Sequence, residues 1–532
     1  MTDLGAALPI LDAFVRRQMR VTAAPGLALA ITERDRLVHV AAYGYADVAA
    51  QKPVTPDMLF EIGSIGKSFT AIALLQLHEA GRLDLHAPVT HYLPWFHVPS
   101  SFEPITVHHL LSHTAGIIMG SEFSGEARYA VWALRHTQVA APPGTFFHYS
   151  NVGYKALGLA LEALTGQSYG EIIQERVLAP LEMAASVPAI THDTRRRMAV
   201  GYEPLYDDRP AHSACPLAPA TWLETATADG SIAAAAADLA AYLRMLLNRG
   251  QGPRGRLLSE ESFRLLTRPV IAPDDGAHGE FYAYGLTVDQ REGHLCIGHS
   301  GGMVGYYSAM LGDVDAGLGV VVLVNGPGEP MQLAKAVLSL LRAPSLPALP
   351  DPTRVENAAA YTGTYRGSGK SFTLMAESER LVMRYKDEHV TLEPRDADCF
   401  YAPHPDFALF LLRLEREGEQ VRGATHGPDW LPNQRYTGPT TFDFPPTWSA
   451  YTGHFRSHNP WYPNFRVVLR KGALWLVEPG GDEHLLAPLG NGLFRVGADE
   501  RLPERLRFDT LVDGQALRAN LSLCDYFRTF TV

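Results

Sequence analysis

Phe60-Glu61-Ile62-Gly63-Ser64-Ile65-Gly66-Lys67 leads into a stretch, residues 64–80, where Phe69, Ile72, Ala73 and Leu77 recur at helical spacing before Gly81 stops the pattern. A serine and a lysine three residues apart on a helix share a face, so hydroxyl and amine are neighbours. The helix N-terminus adds unpaired N–H groups and a positive dipole end, which favour a developing oxyanion. Taken alone, Ser-x-x-Lys means a capping serine and a surface lysine. Composition argues otherwise here. The chain has 7 lysines against 39 arginines, so exposed cationic positions default to arginine. A lysine is needed only where the group must be able to lose its proton. No other Ser-x-x-Lys occurs in the chain.

Working outward, residues 26–32 and 37–45 read as two strands of a hairpin turning at Glu33-Arg34-Asp35-Arg36. Leu4, Leu8, Leu11 and Phe14 mark an amphipathic helix before it. Residues 105–250 alternate loops with short helices, the clearest at about 237–249. Strand character returns at 282–288, 294–298, 304–312 and 318–325, and a helix follows at about 330–342. These pieces assemble as an antiparallel sheet built from both ends of the segment, flanked by the terminal helices, with a helical subdomain on its other face. The expected domain spans 1–343. A proline-rich linker follows at 344–356. Beyond it, Tyr361-Thr362-Gly363-Thr364-Tyr365-Arg366 returns as Tyr451-Thr452-Gly453-His454-Phe455-Arg456. Two all-β antiparallel barrels are therefore expected, at 357–445 and 446–532.

The net charge of -11 gives no basic face for nucleic acid. Cys215, Cys296, Cys399 and Cys524 are scattered, as in reduced thiols and not a disulfide framework or a zinc site. No signal peptide or long apolar run is visible, so a cytoplasmic protein without a membrane partner is expected.

Two further elements carry chemistry, Tyr149-Ser150-Asn151 and His299-Ser300-Gly301-Gly302. Ser-x-x-Lys, a Ser-Asp-Asn element and Lys-Thr-Gly form the signature set of penicillin-recognising enzymes; here Tyr-Ser-Asn and His-Ser-Gly fill the second and third places. With Phe60-Glu61-Ile62-Gly63, Leu110-Leu111-Ser112-His113-Thr114-Ala115-Gly116, Ala237-Asp238-Leu239-Ala240 and Tyr284-Gly285-Leu286, residues 8–342 resemble the class C β-lactamase-like serine hydrolases, peptidase family S12 among them. The whole chain is most similar to the D-aminopeptidase branch, which carries two lipocalin-like barrels and has His in place of the motif lysine.

The residues suggest a mechanism of their own. A serine hydroxyl needs an adjacent base. Lys67, desolvated and crowded by His299, should have a lowered pKa, and Tyr149, beside that amine, a lowered one too. Either takes the proton of Ser64. Tyr149 is the better acid for the leaving group, and Asn151 orients Lys67. The oxyanion is assigned to the backbone N–H of Ser64 and, by the resemblance, of Gly302. The resemblance also implies substrate contacts at Ser300, Gly301 and Tyr306.

A neutral His299 supplies less charge for a substrate carboxylate, which weighs against a β-lactamase or a D,D-carboxypeptidase. The expected substrate is a small molecule or short peptide, an amide with a D-amino acid at its N-terminus by the resemblance. A carboxylesterase and an acyl transferase or peptide cyclase are the alternatives. No cofactor or metal is expected, and self-association as a homodimer is.

Three rivals remain. Gly298-His299-Ser300-Gly301-Gly302 spells the nucleophile elbow of α/β-hydrolases, but that elbow needs a strand–turn–helix and a βαβ context. His108, His109 and His113 suggest a metal hydrolase, but no His-Glu-x-x-His is present. A non-catalytic sensor would not need every catalytic position filled. Finally, the aromatic, proline-stiffened stretches 426–432 and 457–464 suggest loops that cap the active site.

Overall fold

The computed structural model describes residues 4–120, 126–273, 279–291, 293–342, 351–367 and 369–530. The chain divides into two compact units: Met1–Leu205 with Pro216–Pro347 and Arg501–Pro503, and Tyr206–Cys215 with Ala348–Glu500 and Glu504–Val532. Most of the proline-rich stretch, 343–350, lies outside the described residues.

The first unit is built on an eight-stranded antiparallel sheet. Its strands run in the spatial order Glu280–Tyr282, Thr287–Arg291, His294–Met303, Tyr306–Asp313, Leu318–Val324, Gly26–Glu33, Leu37–Asp47 and Lys52–Pro53. The two chain ends meet at its centre, where Leu29 pairs with Val322 and Ile31 with Val320. Leu318–Val324 is buried along its whole length, as a central strand covered on both faces must be. Alternation divides it: Val320, Val322 and Val324 pack with Leu11, Val15, Leu333 and Val337 of the terminal helices Leu4–Thr22 and Pro330–Arg342. Val321 and Leu323 face the larger core, with helices Gly66–Glu79 and Ala236–Leu247. The expected sheet, terminal helices and helical side are all present. Among the described residues no helix is long and apolar enough to cross a membrane.

In the second unit the repeated Tyr-Thr-Gly segments occupy the same place twice. The 3-10 turns Ala358–Tyr361 and Pro446–Tyr451 each lead into a first strand, Gly363–Gly367 and Gly453–Arg456. The later β unit is a closed eight-stranded barrel, sealed where Phe455 pairs with Arg528 and filled by Phe455, Phe465, Phe494, Phe508 and Tyr526. The earlier unit is also all-β and antiparallel. It has a four-stranded and a five-stranded sheet about one core containing Tyr365, Phe372, Phe400 and Phe407, linked by the bridge Tyr365–Asn433.

Both stretches expected to be capping loops are anchored inside this unit. Residues 426–432 are the end of a hairpin, with His426 paired to Asp429. In 457–464, Ser457 N–H donates to Pro463 O at 2.9 Å and Tyr462 O accepts the Tyr526 hydroxyl at 2.8 Å. All four cysteines are free thiols.

Candidate active site

The turn that carries Ser64 is held against the sheet. Phe60–Glu61 pairs with Ala233–Ala234, and Ile62 O accepts the buried Ser308 hydroxyl at 2.8 Å. Gly63 has φ +51°, and a Cβ there would lie 2.9 Å from Gly302 N. A Cβ on Gly301 would lie 1.9 Å from Ile62 O. Only glycines let the His294–Met303 strand press its backbone against this turn. Gly63–Ile65 is a 3-10 turn, and helix Gly66–Glu79 then carries Lys67 inward. On the other side, Ser150 caps helix Asn151–Thr165 by accepting the Gly153 N–H, placing Tyr149 just before the helix and Asn151 at its start.

Lys67 is wholly buried. Its Nζ lies 2.9 Å from Ser64 Oγ, 2.7 Å from Asn151 Oδ1 and 2.7 Å from the carbonyl oxygen of Asp229. Burial lowers its pKa to about 7, against the opposing charge of Asp229. A neutral amine has two N–H donors and one lone pair. Two of its three partners, the Asn151 and Asp229 carbonyls, can only accept, so the lone pair faces the hydroxyl of Ser64.

Tyr149 hydrogen-bonds to Ser64, but burial drives its pKa far above the ordinary value. This corrects the expectation of a lowered one: the hydroxyl is deeply desolvated, and the nearby lysine is itself close to neutral. Tyr149 therefore keeps its proton near neutral pH, whereas Lys67 is near the point of losing one.

A beta-lactamase family model matches residues 11–343. Penicillin-binding protein 4 of Amycolatopsis lactamdurans is 30% identical over 374 residues, which cover 65% of this chain and 94% of that protein. The octameric penicillin-binding protein homologue from Pyrococcus abyssi superposes with a TM-score of 0.60 at 27% identity, covering 81% of this chain and all of that one. A D-stereospecific amidohydrolase from Streptomyces sp. gives 0.51 at 23% identity, covering 61% and 97%. The chain belongs to the beta-lactamase family.

The third element of this serine hydrolase lies on the sheet strand His294–Met303. His299 is buried and neutral, its pKa lowered to about 4 by burial and by Lys67. Nδ1 donates to Ser300 O, so Nε2 accepts from the Tyr282 hydroxyl at 3.1 Å.

Two expected substrate contacts are not placed in this group. Ser300 pairs with Ala309, which packs with the terminal helices, whereas His299 pairs with Met310 of the larger core. Ser300 thus points to the opposite face, lining a small cavity with Thr287, Asp289, Met331 and Lys335. That mid-strand position also removes the nucleophile-elbow reading. Tyr306 is buried, and its hydroxyl donates to Ala199 O. Gly301 contributes close approach instead of a side chain.

His108 hydrogen-bonds to the Tyr284 hydroxyl at 2.6 Å, and His109 completes a capping box with Thr106. Sequence reasoning missed Asp229, whose role is played by a backbone carbonyl, and Tyr282, whose hydroxyl donates to His299 Nε2. It also missed Tyr154, whose ring lies 5.5 Å from Lys67 Nζ. Only the position of Tyr154 three residues after Asn151, on one helix face, could have signalled it.

Proposed function

We propose that this protein hydrolyses small amides and short peptides through an acyl-enzyme on Ser64, with D-aminoacyl groups as preferred acyl donors. The observation that supports it is the placement of Lys67 Nζ, 2.9 Å from Ser64 Oγ and 2.7 Å from the Asn151 and Asp229 carbonyl oxygens, so that in its neutral form the lone pair is left for the serine hydroxyl. Lys67 Nζ takes the proton as Ser64 Oγ attacks the carbonyl carbon. The N–H groups of Ser64 and Gly302 receive the oxyanion. The C–N bond breaks as Tyr149 gives its proton to the departing nitrogen and regains one from Lys67. Water then repeats the sequence on the acyl ester. Neutral His299 offers no cation to a substrate carboxylate, which favours substrates without one beside the scissile bond.

The D-aminoacyl preference follows the likeness of the whole chain to the D-aminopeptidase branch. The test is mass spectrometry of the Ser64 peptide after exposure to a mixture of D- and L-aminoacyl amides, p-nitrophenyl esters and β-lactams. D-aminoacyl adducts are expected. Adducts from β-lactams alone would overturn the substrate class, and ester adducts alone would make the protein a carboxylesterase or acyl transferase.

A further inference from the structure

His113 has one of the most unusual settings in the first unit. It is 1% exposed and holds φ +56°, a left-handed conformation uncommon for a side chain of this size. Such strain persists where the surroundings over-determine it, and here they do. The carbonyl of His113 accepts the N–H of His148 at 2.8 Å, and its ring Nδ1 accepts the N–H of Ser150 at 3.0 Å. Between those two amides stands Tyr149, whose ring centroid is 4.1 Å from that of the imidazole. Tyr282 and Tyr154 back the imidazole at 4.8 and 5.1 Å.

We infer that His113 is a positioning residue for the catalytic tyrosine: it clamps the backbone on both sides of Tyr149 and bears on its ring, aiming the hydroxyl at Ser64. The inference rests on the proposed role of Tyr149 as proton donor to the leaving group.

The side chain suits the task for physical reasons. The Ser150 N–H is buried and needs an acceptor, because an unpaired one costs about 1–3 kcal/mol. The Tyr149 ring needs a flat face against it. Neutral imidazole supplies both, and a protonated one would have no lone pair for Ser150. Burial holds His113 well below the ordinary histidine range. The accepting Nδ1 puts the proton on Nε2, which has no hydrogen-bond partner among the described residues. The ring is therefore kept for its face and one lone pair, not for proton transfer.

Two variants separate the parts. His113→Asn keeps an acceptor at the Nδ1 position and tolerates left-handed backbone, but removes the ring face. His113→Phe keeps the ring and removes the acceptor. The readout is the leaving group: a p-nitroanilide needs a proton from Tyr149, whereas p-nitrophenolate departs without one. Each variant is expected to lower kcat on the D-aminoacyl p-nitroanilide by about tenfold or more, as a small misplacement of a catalytic group does. KM should stay within about twofold, and acylation by the matching p-nitrophenyl ester within about threefold.

In a Tyr149→Phe background neither change should cost more, because the residue being aimed is gone. Equal losses on both substrates, losses that multiply with Tyr149→Phe, or no loss would each overturn the proposal. If the Phe variant does not fold, the Asn variant decides it. If Tyr149→Phe alone keeps anilide turnover, the acid assignment fails and this inference with it. Full fluorophosphonate labelling of Ser64 in that variant would show that the nucleophile assignment survives.

Discussion

Asn151→Asp is the sharpest test of Lys67 as the base. The change is nearly isosteric and keeps an acceptor oxygen at 2.7 Å from Nζ, but adds a negative charge. At an effective dielectric constant of about 20, unit charges at that distance attract by about 6 kcal/mol, which corresponds to about four pH units. Partial protonation of the new carboxyl and entry of water reduce this. The pH at which Lys67 gives up its proton should still move from about 7 to above about 9. At pH 7 the free-amine fraction then falls by about 100-fold. The assay is the acylation burst with a p-nitrophenyl ester from pH 5.5 to 10. The wild-type rate should rise with pH through about 7. The variant should be about 100-fold slower at pH 7 and recover as the pH rises. A rate reduced equally at every pH would mean that Asn151 serves substrate binding alone. An acidic limb still near 7 would refute the assignment of Lys67.

Ser64→Ala should remove activity by about three powers of ten or more, measured as steady-state turnover; retention of a tenth of it would rule out the covalent route. Lys67→Arg keeps charge but cannot give up its proton, so the acylation burst should vanish. His299→Lys adds a cation where the wild type has neutral imidazole and should raise the ratio of penicillin to neutral-ester kcat/KM, by about tenfold if a carboxylate is recruited. Glu61→Gln tests a buried carboxyl whose pKa burial raises to about 8. The native state keeps that proton up to about pH 8, whereas the unfolded chain loses it near its ordinary value, so wild-type stability falls as pH rises between them. The glutamine variant should match wild type near pH 4 and exceed it by about 3 kcal/mol at pH 7, read from urea unfolding at both pH values. A pH-independent difference would count against the buried neutral carboxyl.

Much of the site was legible because its chemistry lies in side chains at short spacings. Ser64 and Lys67 are one helical turn apart, and Tyr149 and Asn151 flank a helix cap. What escaped has physical causes. The Asp229 carbonyl that holds Lys67 is backbone, and any residue there would supply it. The pKa of Tyr149 depends on depth of burial, which a local sequence window does not contain, so the nearby cation was given too much weight. The facing of Ser300 was legible too: adjacent strand residues point to opposite faces, so Ser300 and His299 do not share one.

The proton-handling side chains of the site share one electrostatic bias. Burial disfavours the charged form of Lys67, His113, His299, Tyr149 and Tyr282 alike. Above about pH 7 the amine of Lys67 is free, and the cleft then has little positive charge from these groups. In the proposed mechanism the proton of Ser64 passes to Lys67, whose Nζ lies 2.9 Å from Oγ, so a cation appears as the oxyanion does. In surroundings of low dielectric that pair attracts strongly, and the attraction exists only once bonds are changing. It therefore stabilises the transition state without tightening the ground state, which is the condition for raising kcat. A permanent cation at position 299 would weaken this effect by attracting carboxylates before reaction and by disfavouring proton arrival at Lys67. The neutral histidine is thus more than a lost carboxylate anchor. It keeps the lysine free to become the one positive charge in the site at the moment it is useful.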